Sequence, residues 1–274
     1  MTKSSVLIIS KSKPIIWQKY GIHGANILAA AVLPVLLIIS WQLAVDNGIL
    51  NQSVFPGPRR IINALNQLIA KGTYSQHIFS SLGRVAQGFF WGSTGGLIVG
   101  TLAALFPWVN QSLIALIGIL RPIPSVAYIP FWILWLGIGE ESKIAVIIVG
   151  SFWPVLLNTI HGIKTTDPKL MELGQAFEKN YFQVLRKIII PSAIPSIFTG
   201  LRLAVSSSWT AVVTAEMIAA SRGIGFLIAY GRELAQPSLM FVGVITIGAI
   251  GLIIDTGVLT LQRKVIYWGP SGKE

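Results

Sequence analysis

Phe89-Phe90-Trp91-Gly92-Ser93-Thr94-Gly95-Gly96-Leu97-Ile98-Val99-Gly100-Thr101-Leu102-Ala103-Ala104-Leu105-Phe106-Pro107 carries no ionisable side chain. A helix needs about 20 largely apolar residues to cross the hydrocarbon of a bilayer, and this stretch is of that length. Five others resemble it: Ile27–Val45, Leu113–Leu136, Ile144–Ile160, Ile197–Ala220 and Leu239–Leu261. Backbone polar groups in lipid must pair within the chain, and none of these runs alternates like a barrel strand, so helix is the expected form. The sequence therefore predicts an all-α polytopic membrane protein with six transmembrane helices.

Composition agrees. Of 274 residues, 53% are hydrophobic and 11% charged, against about 25% charged in soluble domains, and mean hydropathy is +0.69. The net charge of +11 reads as loop cations that fix orientation rather than a nucleic-acid surface. There is no cysteine, and His23, His77 and His161 are far apart, so neither Cys-based metal sites nor disulfides are available. Val6–Ser10 is too short for the apolar core of a signal peptide, and Lys11, Lys13 and Lys19 follow it.

With the N-terminus inside, twelve Lys and Arg fall in inner segments and seven in outer ones. That bias places both termini and the 161–196 loop in the cytoplasm. The expected organisation is a cytoplasmic segment 1–26, a first span 27–45 and an extracytoplasmic segment 46–84. A transmembrane core 85–262 and a cytoplasmic tail 263–274 follow. Within 46–84, the turn Phe55-Pro56-Gly57-Pro58 precedes an amphipathic helix with Ile61, Ile62, Leu65, Leu68 and Ile69 on one face.

Gly88, Gly92, Gly96 and Gly100 recur every four residues and form a stripe that lets a second helix approach closely. Whether that helix is in this chain or another stays open. Arg121 and Glu216 lie deep in predicted spans, with Arg202 and Asp255 nearer the ends. Charges at that depth usually face a bundle interior or water. Arg121-Pro122-Ile123-Pro124 should bend its span, because proline removes helix hydrogen bonds. Arg121, Arg202 and Glu216 are thus candidates to line a translocation path. A purely internal ion pair of Glu216 with Arg121 or Arg202 is the equal alternative.

Asp167–Pro195 reads as a docking knuckle: Asp167 as N-cap, Pro168 at the first helical position, and a short helix to Phe177. A turn at Glu178-Lys179-Asn180 leads into a second helix that Pro191 should stop. A helical hairpin lying on lipid gives the same pattern. The spacing of Glu172-Leu173-Gly174, Glu178 and Ile190-Pro191 resembles the EAA loop of binding-protein-dependent ABC importer permeases. Two departures stand out: Leu173-Gly174 for Ala-Ala, and Glu178 for the usual turn glycine. Ser81-Leu82-Gly83-Arg84, Leu120–Pro124, Ile133–Gly139, Asn158–Gly162, Gly200-Leu201-Arg202, Ala215-Glu216 and Ser221–Gly225 resemble the nitrate/sulfonate/taurine branch, aliphatic sulfonate permeases above all.

The resemblance implies a type I ABC importer transmembrane fold in a bacterial inner membrane. It implies that Asp167, Glu172, Leu173, Gly174, Glu178 and Pro191 belong to a coupling loop, whose first helix seats in a cytoplasmic ATPase. The chain has no Gly-x-x-x-x-Gly-Lys-[Ser/Thr] loop, so ATP and Mg would be bound by that partner. Six spans are few to enclose a path, which points to a homodimer, and an external solute-binding protein completes the expected assembly. The expected cargo is a small anion such as an alkanesulfonate, taurine or nitrate. A neutral metabolite and an ion-coupled secondary transporter are the alternatives. No motif of a membrane enzyme is present.

Overall fold

The computed structural model describes residues 24–266, with side chains from Val32 onward except Gln175. The N-terminal segment, most of the tail and the start of the first span therefore lie outside the described side chains. Two compact units divide the chain at Pro58. In the first, helix α1 (Gly24–Asp46) is followed by Phe55-Pro56-Gly57, which folds back onto it: the Trp41 and Phe55 rings stand 5.6 Å apart.

The second unit begins with α2 (Pro58–Ala70). Its buried stripe is Ile61 and Ala64 with partly buried Leu65 and Leu68, while Ile62 and Ile69 are exposed. Positions i, i+3, i+4 and i+7 share a face, and those two lie one residue off it.

The second expected span begins far earlier than Phe89. Helix α3 runs from Thr73 to Leu105, so 73–84 is not a connecting segment. It was expected within the extracytoplasmic segment, but Tyr74, His77, Ser81 and Arg84 have partners on other elements. Tyr74 Oη lies 2.9 Å from Thr246 Oγ1, and His77 Nδ1 accepts the Gly223 N–H. The third expected span is broken where its prolines predict. Helix α4 (Pro107–Leu120) ends at Arg121, and a 3-10 turn (Ser125–Tyr128) leads into α5 (Ile129–Leu136) with a bend of 85°.

Helix α6 (Glu140–Lys164) is the spine, packed between α3 and α9 (Ile190–Ala219). A Cβ added at Gly88 would fall 2.5 Å from Ile147, at Gly96 2.7 Å from the Phe152 carbonyl, and at Gly100 2.9 Å from the Leu156 carbonyl; at Gly92 it would strike Ser151. The glycine stripe is therefore a seam with α6 of the same chain. Gly200 meets Pro154 and Asn158, and Gly162 meets Ala193 and Ser196, in a second seam. From these pairings α3 and α6 run parallel and α9 antiparallel to both. The 165–184 loop then sits at one end of the bundle, and the starts of α3 and α6 sit at the other. Helices α10 (Ile224–Glu233) and α11 (Pro237–Val265) complete the unit.

Burial is inverted relative to a soluble protein. Leu134 and Ile138 are 78% exposed, while Ser151, Ser208 and Glu216 are buried. Among the described residues, four helical segments are long and apolar enough to span a membrane, five with the bent pair; α1 contributes a shorter apolar run, Val32–Asp46.

Gly96→Ala should destabilise the chain by about 1–3 kcal/mol, because the seam has no room for a methyl group. Gly118→Ala, with nothing within 4 Å of its added Cβ, should leave thermal unfolding in detergent unchanged. Equal effects of the two would contradict the seam.

Candidate functional site

At the bundle end opposite the 165–184 loop, charges that would be costly in lipid cancel one another. Arg84 of α3 is buried. Its Nε and Nη2 donate to Glu140, and its Nη1 donates to Glu216 Oε1 at 2.6 Å and to the Arg222 carbonyl at 2.7 Å. Lys143 Nζ reaches Glu140 Oε1 at 3.1 Å. Two cations thus face two carboxylates. Glu216 is 1% exposed, and its oxygens also accept the Ser81 hydroxyl at 2.8 Å and the Gly225 N–H at 2.9 Å. Ser81 Oγ in turn accepts the Ile224 N–H. The loop before α10 can lie this close only because Gly223, at φ +130°, has no side chain: a Cβ would strike the Glu216 carboxylate.

Glu216 therefore pairs with Arg84, and neither Arg121 nor Arg202 is the partner. Its carboxylate is sealed in this structure rather than presented to a path. Arg202 pairs with Asp255 at 3.1 Å and lines a hollow of about 210 Å³ with Ser206, Trp209 and Thr210. Arg121 has no ion pair among the described residues. It borders a more open hollow of about 390 Å³ shared with Ser125, Trp153, Asn158 and Ser207. The fold separates the three candidates into a sealed carboxylate, a neutralised arginine and an unpaired one. Among the described residues no group of three His, Asp or Glu could hold a metal ion.

At the other end, Asp167 Oδ1 accepts the Lys169 N–H and caps α7 (Pro168–Ala176). Gly174 is buried where a Cβ would press on Val184 and Ile188 at 3.1 Å. Glu172 and Leu173 face outward, as do Leu170, Phe177, Tyr181 and Phe182. Helix α7 closes with the Lys179 N–H on the Gly174 carbonyl, a Schellman pattern. Its left-handed residue is Glu178, at φ 50°. Asn180 is extended at φ −68° and caps α8 (Tyr181–Val184) by accepting the Gln183 N–H. Pro191 does not stop the second helix as expected. A π turn, Leu185–Ile189, joins α8 to α9. Proline supplies no N–H and crowds the preceding turn, and a wider turn just before it lets the chain stay helical.

Sequence reasoning missed Arg84, Glu140 and Lys143. All three lie outside the expected spans, and the quoted Ser81–Arg84, Ala215-Glu216 and Ser221–Gly225 motifs carry a family resemblance but no pairing between these segments.

Residues 95–267 match the family model of the binding-protein-dependent transport system inner membrane component. The chain is 35% identical to the SsuC permease protein of Bacillus subtilis, named for aliphatic sulfonates transport, over 92% of this chain and 91% of that one. It is 32% identical to the taurine transport system permease protein of Escherichia coli, over 96% and 98%. It is 30% identical to the bicarbonate transport system permease protein of Synechocystis, over 83% and 85%. In fold it resembles the MetNI methionine ABC transporter in an inward facing conformation, with a TM-score of 0.63 at 18% identity over 72% of this chain and 97% of that one.

Glu216→Gln should cost about 3–5 kcal/mol, since removing one partner strands a buried charge. The double variant with Arg84→Gln should be less destabilised than the two single effects added together; strict additivity in unfolding assays would refute the pairing. Glu178→Gly should relieve roughly 1 kcal/mol of left-handed strain and slow hydrogen exchange at the Lys179 amide several-fold, while Glu178→Val does the reverse.

Proposed function

This chain belongs to the family of binding-protein-dependent transport system inner membrane components, and from that membership we propose that it is the permease subunit of an ATP-driven importer of small oxyanions. The observation that carries the reading is the knuckle Asp167–Pro191. Its first helix is capped at both ends and held against α8 through Gly174, yet Leu170, Leu173 and Phe177 on it, with Tyr181 and Phe182 of α8 beside it, are exposed. A rigid, short helix with an unburied apolar face suits insertion into a groove on a second protein. That protein is a cytoplasmic ATPase dimer, which binds ATP and Mg.

Both termini and the knuckle face the cytoplasm, following the Lys and Arg bias. Few spans are available to enclose a path, so two copies form it between them and rock against each other as the ATPase closes. An extracytoplasmic solute-binding protein delivers cargo at the Arg84–Glu216 end. Relatives named for sulfonates, taurine and bicarbonate transport support an anion. Glu216 does not oppose an anion, since Arg84 balances its charge. An ion-coupled carrier needs a carboxylate free to exchange protons, and Glu216 and Asp255 are both held by arginines. A neutral cargo would make the unpaired Arg121 hard to explain.

Leu173→Asp should abolish co-purification of the ATPase and reduce ATPase stimulation by the loaded binding protein at least about tenfold, a loss of the order expected at a hot spot. The chain itself should still fold, since Leu173 is 52% exposed. Undiminished stimulation would contradict the docking role. Proteoliposome uptake of labelled ethanesulfonate, taurine, bicarbonate and nitrate tests the cargo class, and transport of none of them would overturn it.

A further inference from the structure

Four elements converge on the hollow beside Arg121. Arg121 ends α4, Ser125 opens the 3-10 turn, Trp153 and Asn158 come from α6, and Ser207 comes from α9. Gly150 stands between them: a Cβ there would lie in ordinary contact, 3.4 Å from Ser125 Oγ and 3.6 Å from the Ser207 carbonyl. The break at Pro122 and Pro124 turns the chain away by 85° and leaves Arg121 at the corner, exposed, with no carboxylate paired to it among the described residues. Asn158 donates one amide hydrogen to the Pro154 carbonyl. An amide nitrogen carries two, so one remains.

The ion-paired residues elsewhere in the bundle behave differently. Arg84, Lys143, Glu140 and Glu216 cancel in one network, and Arg202 and Asp255 cancel in another. A lone guanidinium at membrane depth is costly unless it meets water or an anion. Its planar donors match two oxygens of a tetrahedral or trigonal oxyanion, and hydroxyl and amide donors supply the rest. We propose that Arg121, with Ser125, Asn158 and Ser207, forms an oxyanion-binding site within the membrane domain, one that holds a sulfonate-type headgroup in passage. This rests on the permease reading above and adds the place and chemistry of recognition within it.

The natural chain has no cysteine, so Ser207→Cys introduces a single thiol. In the assembled transporter it is reacted with two methanethiosulfonates, one ending in a sulfonate and one in a trimethylammonium. Each rate is divided by that for a free thiol in solution. The site predicts a preference for the sulfonate reagent of at least about tenfold, the scale of one nearby unit charge. The preference should persist in Arg121→Lys and vanish in Arg121→Gln, and millimolar ethanesulfonate should slow the sulfonate reagent. Thr210→Cys, beside the neutralised Arg202–Asp255 pair, should show no preference. A ratio unchanged by Arg121→Gln, the same preference at Thr210→Cys, or a Ser207→Cys thiol that neither reagent reaches would overturn the proposal. The ratio does not depend on ATP coupling, so its failure is distinct from failure of ATPase docking.

Discussion

Arg84 divides its donors among Glu140 at the start of α6, Glu216 near the end of α9 and the Arg222 carbonyl in the loop before α10. Glu216 is 1% exposed, and Ser81, Arg84 and Gly225 supply the partners that its buried carboxylate needs. Four segments distant in sequence are thereby pinned at one end of the bundle. Along the rest of the bundle the glycine seams do the pinning. Inside lipid there is little hydrophobic drive between helices, and close backbone approach with internal polar pairing takes its place. The inverted burial pattern, apolar outside and Ser, Glu and Thr inside, has the same origin.

This constraint gives the exceptions their meaning. Where lipid-embedded charge is balanced, as at Glu216 and at Arg202–Asp255, the groups act as fasteners. Where it is not, as at Arg121, the residue borders space. The helix break beside it fits the rule that irregular backbone at membrane depth lines a cavity or lies buried in protein. The two ends of the bundle also differ in kind. One is locked by ion pairs, and the other presents a capped helix whose apolar side no described residue covers.

Much of this was legible in the sequence. Apolar runs gave the spanning helices, Pro122 and Pro124 gave the break, the four-residue glycine period gave the seam, and Asp167-Pro168 gave the start of α7. What could not be read depended on tertiary partners. The stretch Thr73–Arg84 looks polar, and only the positions of Thr246, Gly223 and Glu216 make it interior helix. Pro191 carries a strong stop signal, which the π turn overrides by widening the ladder ahead of it. Glu178 shows the reverse: the left-handed position was recognised, but that glutamate itself would adopt it, with Asn180 two residues on, was not. Charge alone groups Arg121, Arg202 and Glu216 in the sequence, yet pairing separates them, and pairing is a three-dimensional property.

The whole account turns on the side of the membrane from which the α7–α8 knuckle is reached. Because the natural chain lacks cysteine, Leu173→Cys can be probed with a membrane-impermeant maleimide in right-side-out and inside-out vesicles. The account predicts reaction only in inside-out vesicles, with protection when the ATPase is bound. Reaction in sealed right-side-out vesicles would contradict it.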